Sequence, residues 1–409
     1  MQTLKGFRDF LPAEKSVRDQ VKAKIEASFQ RFGFAAIETP TLEYASLLLG
    51  KYGKEADKLV YSFKDRGERE VALRYDQTVP TARVLAQYQN ALPKIFKRYQ
   101  IQNVFRADKP QQGRFREFTQ CDIDIYGSTS PIADAEILAA TYAVFIDLGF
   151  KNIILKINDR QTLLATLSPF ATPEVDVFSI IQSIDKLDKV SVSEVANELI
   201  AKGLKLAIAE RILSELKKAD LSNNLQEIVA MATALGVPKS VLKFDPNLAR
   251  GLDYYTGLIF EVILPEYGVG SVGGGGRYDQ LIEKLSGLKM PAVGIGLGFD
   301  RIVEAAVQLG LVSSQTQNTQ VLVTVFDDQT LPYALEIAQK LRQAKINTQL
   351  YPALDKLSKQ FKYADTQNIS WVIIAGEEEM KAQQVTLKNM KTGEQSLLSW
   401  DEAIKIIKK

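Results

Sequence analysis

Residues 94–127 read KIFKRYQIQNVF, RADKPQQGR and FREFTQCDIDIYG, and this strand–loop–strand decides the fold. The first run has strand character. The middle one is polar and holds Pro110 and Gly113, both turn formers. Side chains of the last run alternate across the strand, because strand geometry has period two. Gln120, Asp122, Asp124 and Tyr126 therefore share one face, and Cys121, Ile123 and Ile125 share the other. Taken alone, the acidic face reads equally well as the wet side of an antiparallel sheet. Cys121 points away from it and reads as buried core. Lys94, Lys97 and Arg98 read as an ordinary solvated edge.

Working outward, Val17, Val21, Ile25 and Phe29 recur every four residues, a helical stripe over 16–32 with Gly33 placed as its C-cap. IETP (37–40) is strand-like and closed by a proline. Residues 59–76 alternate like strands around the turn DRGERE, and 81–89 predicts a helix. From about 161 to 240 the texture changes to Leu, Ala, Lys and Glu with helical periodicity, the signature of a helical insertion in a β-rich core. Strands return at TGLIFEVILP (256–265) and in the glycine-dense run beginning at Ser271, and a helix starts near Phe299. The small polar stretch 311–320 reads as a linker. Beyond it VLVTVF, LPYALEIAQKLRQA, TQLYP, LDKLSKQFKYADTQ and WVIIAG alternate strand and helix, which predicts a small α/β domain around a largely parallel sheet.

A length of 409 residues favours two or three domains. Hydrophobic residues at 46% and charged ones at 24% match an ordinary globular chain, and a net charge of +2 is too mild to announce nucleic-acid binding by itself. Cys121 is the single cysteine, and histidine is absent. No intrachain disulfide, Cys/His zinc site or Ser-His-Asp triad can be assembled from this chain. Acid–base chemistry must fall to carboxylates, lysine, tyrosine, the substrate or water. The first residues lack a signal-type apolar core, and no apolar run is long enough to span a bilayer, so a cytoplasmic location without membrane contact is expected.

The glycines at 273–276 do not form a P-loop, because the Lys-Ser/Thr ending is missing. GIGLG (294–298) has the wrong spacing for a dinucleotide fingerprint. As isolated features, the glycine run reads as a flexible loop and Tyr254-Tyr255 as core aromatics. Four stretches change this. RGLDYYTG (250–257) and GGGRYD (274–279) resemble the two signatures of the histidyl-tRNA synthetases. FR (105–106) with GRFREF (113–118), and GFDR (298–301), resemble motifs 2 and 3 of class II aminoacyl-tRNA synthetases. The resemblance spans essentially the whole chain.

It implies ATP-dependent activation of histidine to histidyl-adenylate, then transfer to the 3′ end of tRNA-His. It implies an α+β class II synthetase core, an antiparallel sheet with flanking helices, over residues 1–312. The helical insertion of about 161–240 would lie within it, with an α/β anticodon-binding domain over 320–409. A homodimer is expected. The family pattern puts Arg106 and Arg250 on the α-phosphate as the catalytic arginines, and Arg114 and Arg301 with Arg106 on ATP. Mg²⁺ is expected on the phosphates, with no protein side chain assigned to it. Asp76, Thr78 and Gln120 match the surroundings of the α-amino group. Asp124 resembles the carboxylate that accepts from the imidazole, with Tyr254 and Tyr255 near the ring and Arg250 also touching histidine. Lys109 and Gln111 match the loop that meets the tRNA acceptor end. Elementary chemistry agrees. A substrate carboxylate is already a nucleophile, so the site must mainly position two anions and neutralise charge, a task for arginine. The rivals are a non-catalytic relative, such as a regulatory subunit of ATP phosphoribosyltransferase, and another class II synthetase. Retention of both signatures and of the C-terminal domain argues against them.

Overall fold

The computed structural model describes residues 1–50, 57–110, 114–187, 190–250, 254–313 and 319–408. They form two compact units, Met1–Asp9 with Gln20–Val312, and Phe10–Asp19 with Ser313–Lys409.

The first unit is built on an eight-stranded sheet. Its spatial order is Ala35–Ala36, Phe96–Phe105, Glu117–Tyr126, Ala292–Gly298, Ser271–Arg277, Leu258–Ile263, Ile154–Asp159 and Leu242–Phe244. All inner pairings are antiparallel, and only the two short edge strands run parallel to their neighbours. The edge strand at 35–36 precedes IETP, which was expected to be the strand itself. Pairing there continues by one bond, Ile37 N–H to Tyr99 O. A separate three-stranded sheet joins Leu42–Tyr44, Glu70–Leu73 and Ser62–Lys64. The DRGERE turn closes it, because Asp65 Oδ1 accepts from the N–H groups of Gly67 and Arg69 at 2.8 and 3.0 Å.

One face of the large sheet carries the apolar core. Cys121, Ile123 and Ile125 lie there with Val21, Ile25 and Phe29 of the helix Pro12–Arg31. The helix Pro131–Leu148 lies in the same core, with apolar residues buried along its length rather than on one stripe. Its ends are set locally. Ser130 caps the first turn, Pro131 fills the first position, and Gly149 ends it at φ 97°. The helix Phe299–Gln308 adds Phe299, Ile302 and Ala305.

Five α-helices lie between the strands Ile154–Asp159 and Leu242–Phe244. The first four, from Arg160 to Lys218, enclose their own core around Leu163, Ile181, Leu199 and Ile212. The fifth, Asn223–Ala234, instead buries Leu225, Ile228 and Ala232 in the main core. Periodicity could not separate them, since both kinds of helix carry the same apolar stripe.

The second unit holds a five-stranded sheet in the order Thr348–Leu350, Val321–Val323, Trp371–Ile374, Val385–Asn389, Gln395–Leu398. Three strands are parallel and the last two form an antiparallel hairpin. The largely parallel sheet expected is therefore mixed. Tyr351 and Phe361 pack against a small core of Leu322, Ala364, Ile369 and Val372. Among the described residues, no helix is long and apolar enough to cross a membrane.

Candidate active site

The other face of the sheet carries a second apolar cluster, with Phe96, Tyr126, Ile259 and Ala292 of its strands, and beside it a polar hollow. The register puts Gly298 opposite Gln120, Gly296 opposite Asp122 and Gly294 opposite Asp124. Glycines at every second position thus lie across from polar residues at every second position. A Cβ at Gly294 would overlap the Asp124 carboxylate, and one at Gly296 would stand 3.1 Å from Asp122 Oδ1. GIGLG reads neither as a nucleotide fingerprint nor as a loop. It is a strand whose glycines leave room for the side chains of Asp124 and Asp122 across from them.

A cavity of about 430 Å³ opens on this floor. All seven residues expected to hold histidine line it: Asp76, Thr78, Gln120, Asp124, Arg250, Tyr254 and Tyr255. Asp122 and Tyr278 line it too. The acidic face is not wet, since Asp122 and Asp124 are 4% and 5% exposed. Nor is Arg98 a solvated edge. It is 1% exposed, and its Nη2 lies 2.7 Å from Asp124 Oδ2. Burial works against the Arg98 charge, but Asp124 together with Tyr126, Asp122 and Tyr278 outweighs it and raises the guanidinium pKa. At Asp124 burial is the larger effect, and it holds that carboxyl above the usual carboxylate range although Arg98, Tyr278 and Tyr126 pull it down. The Tyr278 hydroxyl donates to the other oxygen of Asp124. Arg277 anchors the backbone beside it, reaching Asp134, Asp279 and Ser128 O. Burial pushes the hydroxyls of Tyr254 and Tyr278 well above their ordinary range, so both serve as neutral donors.

A second cleft of about 690 Å³ adjoins the first. Arg114 and Arg301 line it, with Phe115, Phe118 and Asp300. Arg114 pairs with Asp108 at 2.9 Å, and Arg301 donates to Ser271 O at 2.7 Å. Arg106 and Arg250 line both cavities and stand where they meet. Arg106 is steered by its Nε bond to Tyr75 O (3.1 Å) and lies over the rings of Tyr75 and Phe118. Arg250 takes Glu261 at 3.0 Å, and its guanidinium occupies the space a Cβ at Gly274 would fill. Its backbone sits at φ 46°, a left-handed conformation that arginine seldom adopts.

Asp76 sits at the start of the helix Thr78–Gln87, where its Oδ1 accepts from Val79 N–H at 3.1 Å. Lys109 is exposed and not in the lining of either cavity. Gln111 lies outside the described residues. Sequence reasoning missed Tyr278, Asp122, Glu261 and Arg98 as parts of the site. Strand alternation already placed Asp122 on the right face, and Tyr278 lay inside a quoted signature. Nothing in the sequence marks Arg98, because its partner belongs to the neighbouring strand. Among the described residues, no group of three or more Cys, Asp or Glu is arranged to hold a metal ion.

An antiparallel sheet with a glycine floor, with two arginines at the junction of an acidic cavity and a cationic cleft, defines a class II aminoacyl-tRNA synthetase. The comparisons resolve the kind. The family model described as histidyl-tRNA synthetase matches residues 6–302, and the anticodon binding domain matches 320–409. The chain is 38% identical to a histidine–tRNA ligase of Clostridium tetani, over 99% of this chain and 97% of that protein. It is 40% identical to one of Christiangramia forsetii, over 97% of each. The crystal structure of histidyl-tRNA synthetase from a Nostoc species superposes with TM-score 0.85 at 32% identity, covering 100% of this chain and 98% of that one. This chain belongs to the histidyl-tRNA synthetase family. A Bacillus halodurans protein described as an ATP phosphoribosyltransferase regulatory subunit/histidyl-tRNA synthetase shares the fold, at TM-score 0.76 and 22% identity.

Proposed function

We propose that the acidic cavity binds histidine and the adjoining cleft binds ATP, so that this chain forms histidyl-adenylate and then charges tRNA-His. The observation that carries this reading is the placement of Arg106 and Arg250, each lining both cavities. Where the cavities meet, a substrate carboxylate approaches an α-phosphate. Two permanent cations there offset the repulsion between the anions and the charge that grows in the transition state.

The α-ammonium group lies toward Asp76, Thr78 and Gln120. The imidazole lies toward Asp124 and the tyrosines. Asp124 already takes Arg98 and Tyr278, and each carboxylate oxygen keeps a second lone pair for a ring N–H. That acceptor is held in place by Arg98 and Tyr278, which penalises amino acids lacking a matching donor. Arg114 and Arg301 hold the nucleotide. No enzyme group need remove a proton before attack, which suits a chain without histidine. Mg²⁺ would ride on the phosphates and neutralise part of their charge.

Residues 1–312 act as the catalytic domain and 320–409 as the anticodon-binding domain. Lys109 and Gln111 meet the acceptor end. The working unit is a homodimer in the cytoplasm. ATP–pyrophosphate exchange with each standard amino acid, without tRNA, tests the central reading. Exchange with histidine alone is expected. Exchange with another amino acid, or with none, overturns it.

A further inference from the structure

Asp122 is a buried carboxylate on the wall of the proposed histidine cavity and, among the described residues, forms no ion pair. Its partner is a neutral amide: Gln120 Nε2 lies 3.0 and 2.8 Å from its two oxygens. The charged groups around it come from three elements. Arg98, on the strand Phe96–Phe105, is committed to Asp124. Asp124 follows on its own strand, and Asp76 faces it from the start of the helix Thr78–Gln87. The two neighbouring strands present Gly296 and Gln100, neither of them charged. Two like charges therefore lie nearby, and Arg98 is taken by Asp124. The other end of the Gln120 amide is informative. Gln120 Oε1 is buried and has no hydrogen-bond partner among the described residues, and Gln120 lines the cavity.

An amide can be turned either way, and its surroundings decide which. An ionised carboxylate only accepts hydrogen bonds, so it must face the NH₂ end. That leaves the oxygen end for something that donates. We propose that Asp122 is a positioning residue for the substrate amine: it locks the Gln120 amide so that Oε1 points into the cavity, where it accepts from the α-ammonium group of histidine. The inference rests on the histidine reading of this cavity. The ammonium also supplies the positive charge that Asp122 lacks. In the empty cavity burial pushes the Asp122 carboxyl up to about 7, and a bound cation favours its ionised form.

Two analogues separate this role from general support of the fold. Histidinol keeps the amine and the ring. Imidazolepropionate keeps the ring and a carboxylate but has no amine. Binding of each is measured by calorimetry at about pH 8, above the titration of Asp122. Asp122→Asn should weaken histidinol at least about tenfold, the scale of one hydrogen bond to a charged group. Imidazolepropionate should bind unchanged. Gln120→Met, which keeps the shape and removes the amide, should give the same split, and it carries the test should the Asp122 variant fail to fold. In the double variant the losses should not add, because both act through one bond. Equal weakening of both analogues, or no weakening of either, overturns the proposal. Wild-type protein that binds neither analogue removes the histidine reading itself, a result distinct from failure of the Asp122 role.

Discussion

The two faces of the strand Glu117–Tyr126 are equally dry and differ in everything else. Cys121, Ile123 and Ile125 are at most 2% exposed and lie in an apolar cluster. Asp122 and Asp124 are 4% and 5% exposed, yet border a cavity lined by carboxylates, arginine and tyrosine. Burial alone therefore does not distinguish core from site. What distinguishes them is how each face meets its unsatisfied groups. The apolar face is complete without a ligand. On the polar face Asp124 is paired by Arg98, but among the described residues Asp122 is held by an amide and Gln120 Oε1 has no hydrogen-bond partner. A buried polar group left in that state costs free energy, and a site that binds a cation recovers it.

The sharpest way to break this comparison is to remove the cation of the polar face. Arg98→Met strands the Asp124 carboxylate in the interior and should cost about 3–5 kcal/mol in denaturant unfolding. Replacing both partners, Arg98→Met with Asp124→Leu, should recover much of that loss. Persistence of the full loss in the double variant would show that the pair acts through more than its charge. On the apolar face, Ile123→Ala leaves a cavity and should cost about 2–4 kcal/mol, while pyrophosphate exchange per folded molecule stays unchanged. A changed KM for histidine in that variant would mean the faces are not independent. Arg250→Ala should unfold like the wild type within about 1 kcal/mol and still bind histidine, yet exchange should fall about 100-fold or more. Unchanged exchange would remove Arg250 from the chemistry.

The smallest effect is one of pH. The folded-state pKa of Asp122 lies above the unfolded value, so ionising it in the empty cavity opposes folding. Its favourable contribution is complete below about pH 4 and is lost as pH rises through about 7. Asp122→Asn should flatten that slope in unfolding curves recorded across this range without substrate. An unchanged slope would place the titrating group elsewhere. The chain has no histidine, so a carboxylate is the natural source of any such dependence near neutrality in the unliganded protein.

Strand alternation sorted 120–126 onto two faces correctly, and the polar loop and glycine runs were visible as they stand. The resemblance carried the residues of the cavity, since RGLDYYTG and GGGRYD are contiguous in sequence. Reading failed where partners are distant. Arg98 looked like a solvated edge because a lysine and another cation flank a strand end, and only pairing with the next strand reveals Asp124 as its counter-charge. The helical stretch from 161 to 240 looked uniform, yet Asn223–Ala234 belongs to a different core from the four helices before it.

The sequence by itself determined which side chains alternate, which turns can form, and which chemistries a chain without histidine must forgo. These are local matters, settled by backbone period and by the donors and acceptors each residue carries. Only the tertiary structure decided that Asp122 and Asp124 are buried, that Gly294 and Gly296 stand opposite Asp124 and Asp122, and that Arg106 and Arg250 each line both cavities. The reason is electrostatic. The worth of a charge depends on what lies within a few ångströms of it and on how much water is excluded, and strand register and packing set both.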